Sequence, residues 1–260
     1  MNNVVICAIL KNEARYLAEW IEYHKLVGVA HFYLYNNNSD DAIEEVCDKY
    51  RDCVTLINWP LRANQQMLAY KDYVDNYSSR ARWTAFIDGD EFIVYKGSDD
   101  LISYLRGQKD KNAVLMRWVI FGTNGHVTPP AGLVTESYLM THSICPNPYW
   151  KSLCRAEYID INNIVTPHHF FYLSDHPVLA AKDSKVLIYH YMLRSEEDVL
   201  RKVRRGDAWS VTESEKKTRN ALASAQAYLK KYDNTDLYDD YMLTFRNELR
   251  SRLSAKGFIA

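Results

Sequence analysis

The 260-residue chain is poor in the residues that punctuate loops, with nine glycines and seven prolines. No glycine/serine linker, low-complexity tract or internal repeat breaks it up, so its parts are expected to share one core. The five cysteines, Cys7, Cys47, Cys53, Cys145 and Cys154, include no pair at C-x-x-C spacing. That excludes the usual zinc and redox motifs and points to scattered reduced thiols. Net charge is nearly absent: 32 Lys+Arg against 33 Asp+Glu leave −1. A generally basic nucleic-acid binder is thereby excluded, and no nucleic-acid partner is expected. Long apolar runs are missing too. The first, Val4 to Leu10, stops at Lys11, too short to span a bilayer, and no basic start precedes it. The expected location is cytoplasmic.

What the chain does have is an apolar content of 47%, enough for a sizeable core. It also has 20 tyrosines and 6 tryptophans. Aromatic faces suit sugars, but tyrosine also fills cores, and composition leaves both readings open.

Periodicity organises the first ninety residues. Apolar runs at Val4–Leu10, His31–Tyr35, Val54–Trp59 and Trp83–Ile87 read as strands. Helical spacing falls between them: Tyr16 to Leu26 closed by Gly28, then Ile43, Val46 and Tyr50, then Gln65 to Tyr77. Asp40 or Asp41 is placed to cap the second helix. Alternating strands and helices predict an α/β class with a mostly parallel central sheet flanked by helices. Ala113–Phe121 is a further strand, 122–188 is mixed, and 196–256 is charged and helical. The division read from this is a catalytic domain over 1–195, with a nucleotide-binding half 1–95 and an acceptor-side half 96–195. A helical extension, 196–260, is expected to pack on the same domain.

In parallel sheets ligands collect at the carboxyl ends of strands, and the polar clusters fall there. They are Lys11-Asn12-Glu13, Asn36 to Asp41, a segment containing Gln66, and Asp88-Gly89-Asp90-Glu91. In an extended segment residues two apart share a side, so Asp88 and Asp90 can converge on one cation. Gly89 removes a side chain that would crowd a phosphate. Hard carboxylate oxygens suit Mg²⁺ or Mn²⁺ carrying a diphosphate. The competing reading of a bare D-x-D is a solvated turn.

Several blocks together resemble glycosyltransferase family 92 and related bacterial family 2-like enzymes. They are Lys11 to Trp20 with Glu22-Tyr23-His24, His31 to Asp41, Trp59-Pro60, and Arg82 to Phe92. Trp118, Phe121-Gly122 and Gly125-His126 follow, then Lys151-Ser152 with Arg155, His168-His169-Phe170, Tyr189-His190-Tyr191, and Lys202 with Arg205-Gly206. The resemblance runs from about residue 4 to 206, and residues 207–260 match no block. It departs at Tyr189, where the family often has asparagine before the His-Tyr pair.

The resemblance implies a GT-A-type nucleotide-sugar-binding fold and inverting transfer from a UDP-sugar donor, with galactose the expected sugar. A divalent metal, Mn²⁺ or Mg²⁺, comes with it. By position it makes Asp88, Asp90 and His190 the metal ligands. Lys11, Asn12, Glu13, Asn36, Asn38, Asp40, Gln66, Asp88 and Gly89 become the nucleotide-sugar-binding set, joined by Arg155, Lys202 and Arg205 on the diphosphate. For the catalytic base, Glu136, His126 and Asp175 stay open. A glycan or lipid-linked glycan acceptor, in surface polysaccharide or lipopolysaccharide biosynthesis, is expected by analogy. Two other classes compete. One is a non-catalytic carbohydrate-binding or scaffold module. The other is a nucleotidyltransferase, which usually opens with a glycine-rich phosphate loop that is missing before Gly28. Finally, Tyr238, Met242, Phe245, Leu249 and Leu253 recur at helical spacing beside Arg246, Arg250, Arg252 and Lys256. This stripe reads as a packed helix or as peripheral membrane contact.

Overall fold

The computed structural model describes residues 4–60, 65–142, 149–163, 166–168, 170, 172–173, 177–205 and 221–259. Its first half follows the expected alternation: β1 (Val4–Leu10), α1 (Ala14–Leu26), β2 (Val29–Asn36), α2 (Ile43–Asp48), β3 (Val54–Asn58), α3 (Gln65–Asn76) and β4 (Trp83–Phe86). Strand β1 is apolar throughout because both of its faces are covered. Val4, Ile6, Ala8 and Leu10 pack with Trp20 and Tyr23 of α1, while Val5, Cys7 and Ile9 pack with Tyr70 and Tyr73 of α3. Helix α1 ends where Gly28 turns to φ +97°, and a Cβ there would sit 2.7 Å from Ile102 Cγ1.

The second half supplies β5 (Glu91–Tyr95), α4 (Leu101–Gly107), β6 (Ala113–Ile120), α5 (Val134–Ser137), β7 (Met140–Thr141), β8 (Trp150–Cys154), β9 (Val178–Leu179) and β10 (Val186–His190). Helices α6 (Glu196–Arg205) and α7 (Ala221–Tyr232), β11 (Leu237–Tyr238) and α8 (Arg246–Ala255) follow. Among the described residues nine strands form one sheet in the order β3-β2-β1-β4-β8-β6-β10-β5, with β9 beside β6. Strands β1 to β4, β6, β9 and β10 run one way, and β8 and β5 run against them. The sheet is therefore mostly parallel, in an α/β architecture.

Only residues 87–90 connect β4 to β5, which lie four strand spacings apart in that order. In a flat sheet those spacings span about 19 Å. The five Cα steps from Phe86 to Glu91 stretch to at most about 18 Å. The sheet must curl, and its curl brings the carboxyl ends of β1, β2, β4 and β10 around the Asp88-Gly89-Asp90 turn.

Two expectations about helix ends are corrected. Asp41 does not cap α2, whose N-cap is Ala42 without a side-chain bond. Its Oδ2 instead accepts from Ala14 N at 2.7 Å, capping α1 from the neighbouring loop. The carboxyl-terminal stripe is not one helix either. Tyr238 lies in β11 opposite Met140, a 3₁₀ turn holds Tyr241–Phe245, and α8 begins after it. Met242, Leu249 and Leu253 are buried in the main core, and Arg252 reaches Glu22 of α1 at 3.6 Å. These three side chains are spent on the protein's own core, while Tyr238 of the same stripe stays exposed. No described helix is long and apolar enough to cross one. Most of the tyrosine excess is core as well: Tyr23, Tyr35, Tyr50, Tyr70, Tyr73, Tyr138, Tyr189 and Tyr191 are fully buried.

Candidate functional site

The loops after β1 and β2 are stitched together by their own polar side chains. Asn12 N donates to Ser39 Oγ and Asp40 N to Asn12 Oδ1, each at 3.0 Å. Asn36, buried, accepts from Ser39 N through Oδ1 at 3.0 Å. Asn12 and Asn38 both take φ near +55°, a conformation asparagine tolerates better than most residues. The side-chain carbonyls of Asn12 and Asn36 therefore shape the loop edge, while Lys11 and Asp40 face the adjacent cleft and Asn38 stays exposed outside it.

Beside them the turn after β4 is held by ion pairs. Asp88 Oδ2 accepts from Lys151 Nζ at 2.7 Å and Oδ1 from Gln66 Nε2 at 2.9 Å, and Asp88 N donates to Glu91 Oε2. Lys151, fully buried at the start of β8, also lies 3.6 Å from Glu91. Burial pushes the Asp88 carboxyl up, but Lys151 and His190 together outweigh it and the net shift is downward. Glu91 has no such surplus of positive charge, and burial pushes it up to about 8.

Asp90 faces the other way. Its Oδ2 accepts from Lys202 Nζ at 2.5 Å, and Oδ1 lies 3.3 Å from His190 Nε2. Burial opposes ionisation of Asp90, yet Lys202 and His190 hold it well below the usual carboxylate range. His190 ends β10 opposite Glu91 and is buried, and neither ring nitrogen has a hydrogen-bond partner. Burial lowers its pKa against the pull of Asp90, favouring the neutral imidazole that binds metals.

Those observations bear on the expected cation. Among the described residues no cluster of three or more His, Cys, Asp or Glu side chains is arranged to hold one. The pair Asp90–His190, with its orphaned ring nitrogens, fits an ion whose remaining positions are filled by diphosphate oxygens and water. Asp88 fits less well as a direct ligand, since Lys151 and Gln66 already occupy both of its oxygens.

Asp90 also borders a cleft of about 610 Å³. Lys11, Asn12, Glu13, Asp40, Lys202 and Arg205 line it, as does Arg194. Arg205 pairs with Glu13 at 2.7 Å and donates to the Lys11 carbonyl. Glu13 therefore spends its carboxylate on two arginines and does not cap α1.

The sequence reading gives no role to Arg194 or to Lys151. Arg194 donates to Glu13 Oε2 at 2.8 Å and to the Gly89 carbonyl at 3.4 Å, with its guanidinium 4.0 Å from the Tyr16 ring centroid. It fastens the turn between β4 and β5 to the start of α1. The available signal was its place four residues beyond His190. Gly89 is tightly enclosed, and a Cβ would meet Leu10 Cδ2 at 2.7 Å.

Other predicted residues lie elsewhere. Arg155 sits at the opposite end of the sheet, beyond Cys154 where β8 pairs with the start of β4. It donates to the Lys109 carbonyl and packs over Trp83, so it cannot neutralise a diphosphate at Asp90. Glu136 is clamped by Arg250 and by Leu133 N, which removes it from base duty at the cleft. His126 points its Nε2 at the Ser137 carbonyl, 3.3 Å away, and lies edge-on to Tyr138. Neither lines the cleft. Asp175 lies outside the described residues.

Compared with known families, the pattern of glycosyltransferase family 92 matches residues 2–245. The chain belongs to glycosyltransferase family 92. The family 92 match runs past Gly206, so the region read as matching no block is largely covered by it. A family 92 protein of Oryza sativa subsp. japonica is 32% identical over 196 residues, covering 73% of this chain and 33% of that protein. One from Ricinus communis is 30% identical over 199 residues, covering 71% and 34%. The chain thus spans about a third of the length of these curated relatives. Among solved structures it is similar to S. aureus TarS 1–349, with 14% identity, TM-score 0.43, and 97% and 72% of the two chains covered. HddC from Yersinia pseudotuberculosis gives 14% identity, TM-score 0.43, and 76% and 96% coverage. Likeness that weak carries no inference about ligand or reaction.

Proposed function

We propose that this family 92 chain is a metal-dependent inverting glycosyltransferase that moves a hexose, galactose in this reading, from a UDP-sugar to a glycan or lipid-linked glycan. The setting proposed is surface polysaccharide or lipopolysaccharide assembly. The supporting observation is the approach of Asp90, at the rim of a cleft rich in cationic side chains, to within 3.3 Å of a buried His190 whose ring nitrogens make no hydrogen bond.

A divalent ion held by Asp90 and His190 would supply charge stabilisation to the departing UDP. The chain's own residues do the rest. Lys202 and Arg205 present positive charge along the path of the leaving diphosphate. Gly89 leaves room for Leu10 and Glu13 to pack against the turn rather than for a ligand, and Arg194 fixes its carbonyl so that Asp90 is held in place before substrate arrives. Asp40 and Asn12, at the cleft wall, are positioned to meet the ribose and base.

The test is thermal unfolding with UDP, GDP or CMP, each with and without Mn²⁺, for the native chain and a folded Asp90→Ala variant. A ligand at about a hundred times its Kd adds about 2.7 kcal/mol, enough to move the transition visibly. Stabilisation by UDP alone, dependent on metal and lost in the variant, is expected. A flat response to all three nucleotides would favour a non-catalytic carbohydrate-binding module.

A further inference from the structure

Against His190 the protein has built a run of aromatic rings. The Trp118 ring lies 4.4 Å from that of His190, centroid to centroid, and 5.1 Å from that of His168. Tyr149 stacks on His168 at 4.8 Å with 12° between the planes, and meets Trp118 edge-on at 5.7 Å. Backbone bonds fix this arrangement: Trp118 N donates to the Tyr149 carbonyl at 3.1 Å, and His168 Nδ1 lies 3.0 Å from the Trp150 carbonyl.

One feature is costly unless something binds, and a second offers a surface for binding. Trp118 is 6% exposed and its indole N–H has no partner. Tyr149, by contrast, is 43% exposed at the lip of the same cluster. A buried donor beside an open ring face matches the two sides of a pyranose, with hydroxyls around its edge and an apolar C–H face.

We propose that Trp118, Tyr149 and His168 form the acceptor platform, holding one pyranose ring of the glycan against the Tyr149–His168 stack within reach of the Trp118 N–H. This inference rests on the glycosyltransferase reading for its role, but the binding itself can be measured separately. The contiguity of the rings with His190 puts a sugar held there next to the carboxylate–imidazole pair.

The experiment is saturation-transfer NMR titration of methyl pyranosides (galactoside, glucoside and mannoside) onto the native chain in UDP and Mn²⁺, repeated with Tyr149→Ala and Trp118→Phe. UDP affinity is measured on the same samples. At least one glycoside should bind the native chain, and Tyr149→Ala should weaken it about tenfold, the loss of a stacked contact. Trp118→Phe keeps the ring and drops the N–H, so it should weaken the glycoside less, and both variants should retain UDP affinity. If no glycoside binds while UDP does, or if glycoside affinity is unchanged in Tyr149→Ala, the platform is refuted. Failure of the native chain to bind UDP, with Tyr149-dependent glycoside binding intact, would instead overturn the donor reading and leave the platform standing.

Discussion

Lys151 shows how far a single side chain can organise this site. Its ammonium is fully buried and is met by the partly exposed Asp88 at 2.7 Å and the buried Glu91 at 3.6 Å, so removing it takes the cation from both. Lys151→Met is expected to lower unfolding free energy in urea, by less than the about 3–5 kcal/mol of a fully buried pair because water reaches Asp88. Gly89→Ala tests the turn: the new methyl would approach Leu10 Cδ2 at 2.7 Å. It should cost about 1–3 kcal/mol in stability and weaken UDP binding together with it. Loss of UDP affinity with no change in stability would show instead that the methyl blocks the ligand directly. Glu136→Gln should behave in the opposite way. Its partner Arg250 is half exposed, so the stability change should stay under about 1 kcal/mol, and sugar transfer should continue at the native rate. A large loss of turnover with normal stability would restore Glu136 as the base.

At the scale of elements, His24 ties α1 to β5. Nδ1 lies 2.8 Å from the Trp20 carbonyl, and Nε2 accepts from Ile93 N at 3.2 Å. Burial pulls its pKa down to about 3, so it stays neutral in the folded chain while the unfolded chain takes up a proton near 6.5. The unfolded state then binds more protons, and this contribution to stability is complete above 6.5 and lost as pH falls from 6.5 towards 3. Between pH 7 and pH 5 the native chain should lose about 2 kcal/mol more than His24→Gln in matched urea titrations. An equal loss in both proteins would contradict the burial account. Strands β1 and β4 were legible in the sequence because burial on both faces leaves an unbroken apolar run, whereas the edge strand β3, largely half-buried, was marked by its short apolar stretch closed by Pro60. The break of the carboxyl-terminal stripe into β11, a 3₁₀ turn and α8 was not, since Tyr238, Met242 and Leu249 keep helical spacing whichever element holds them. Asp41 shows the same gap: its capping chemistry was visible, but the helix it caps is set by the packing of two loops.

For the whole molecule, the curl of the sheet decides which distant residues meet. Lys11–Glu13, Asp40, Gln66 and the Asp88–Glu91 turn were readable because each follows its own strand or opens the next helix within a local βα pattern. Lys151, His190 and Arg194 reach the same edge through antiparallel and crossover pairings, β8 beside β4 and β10 between β6 and β5, that no local spacing encodes. His190 was found through family resemblance, and Arg155 was misplaced by it, because a matching block says nothing about which end of the sheet a residue occupies. The most direct measurement is electron paramagnetic resonance of Mn²⁺ titrated into the native chain, Asp90→Asn and His190→Ala, each with and without UDP. The account predicts a bound-Mn²⁺ signal in the native chain that strengthens markedly with UDP and is lost in both variants. A native signal indifferent to UDP, or one that survives in both variants, would contradict the assignment of the Asp90–His190 pair as the metal-bearing centre.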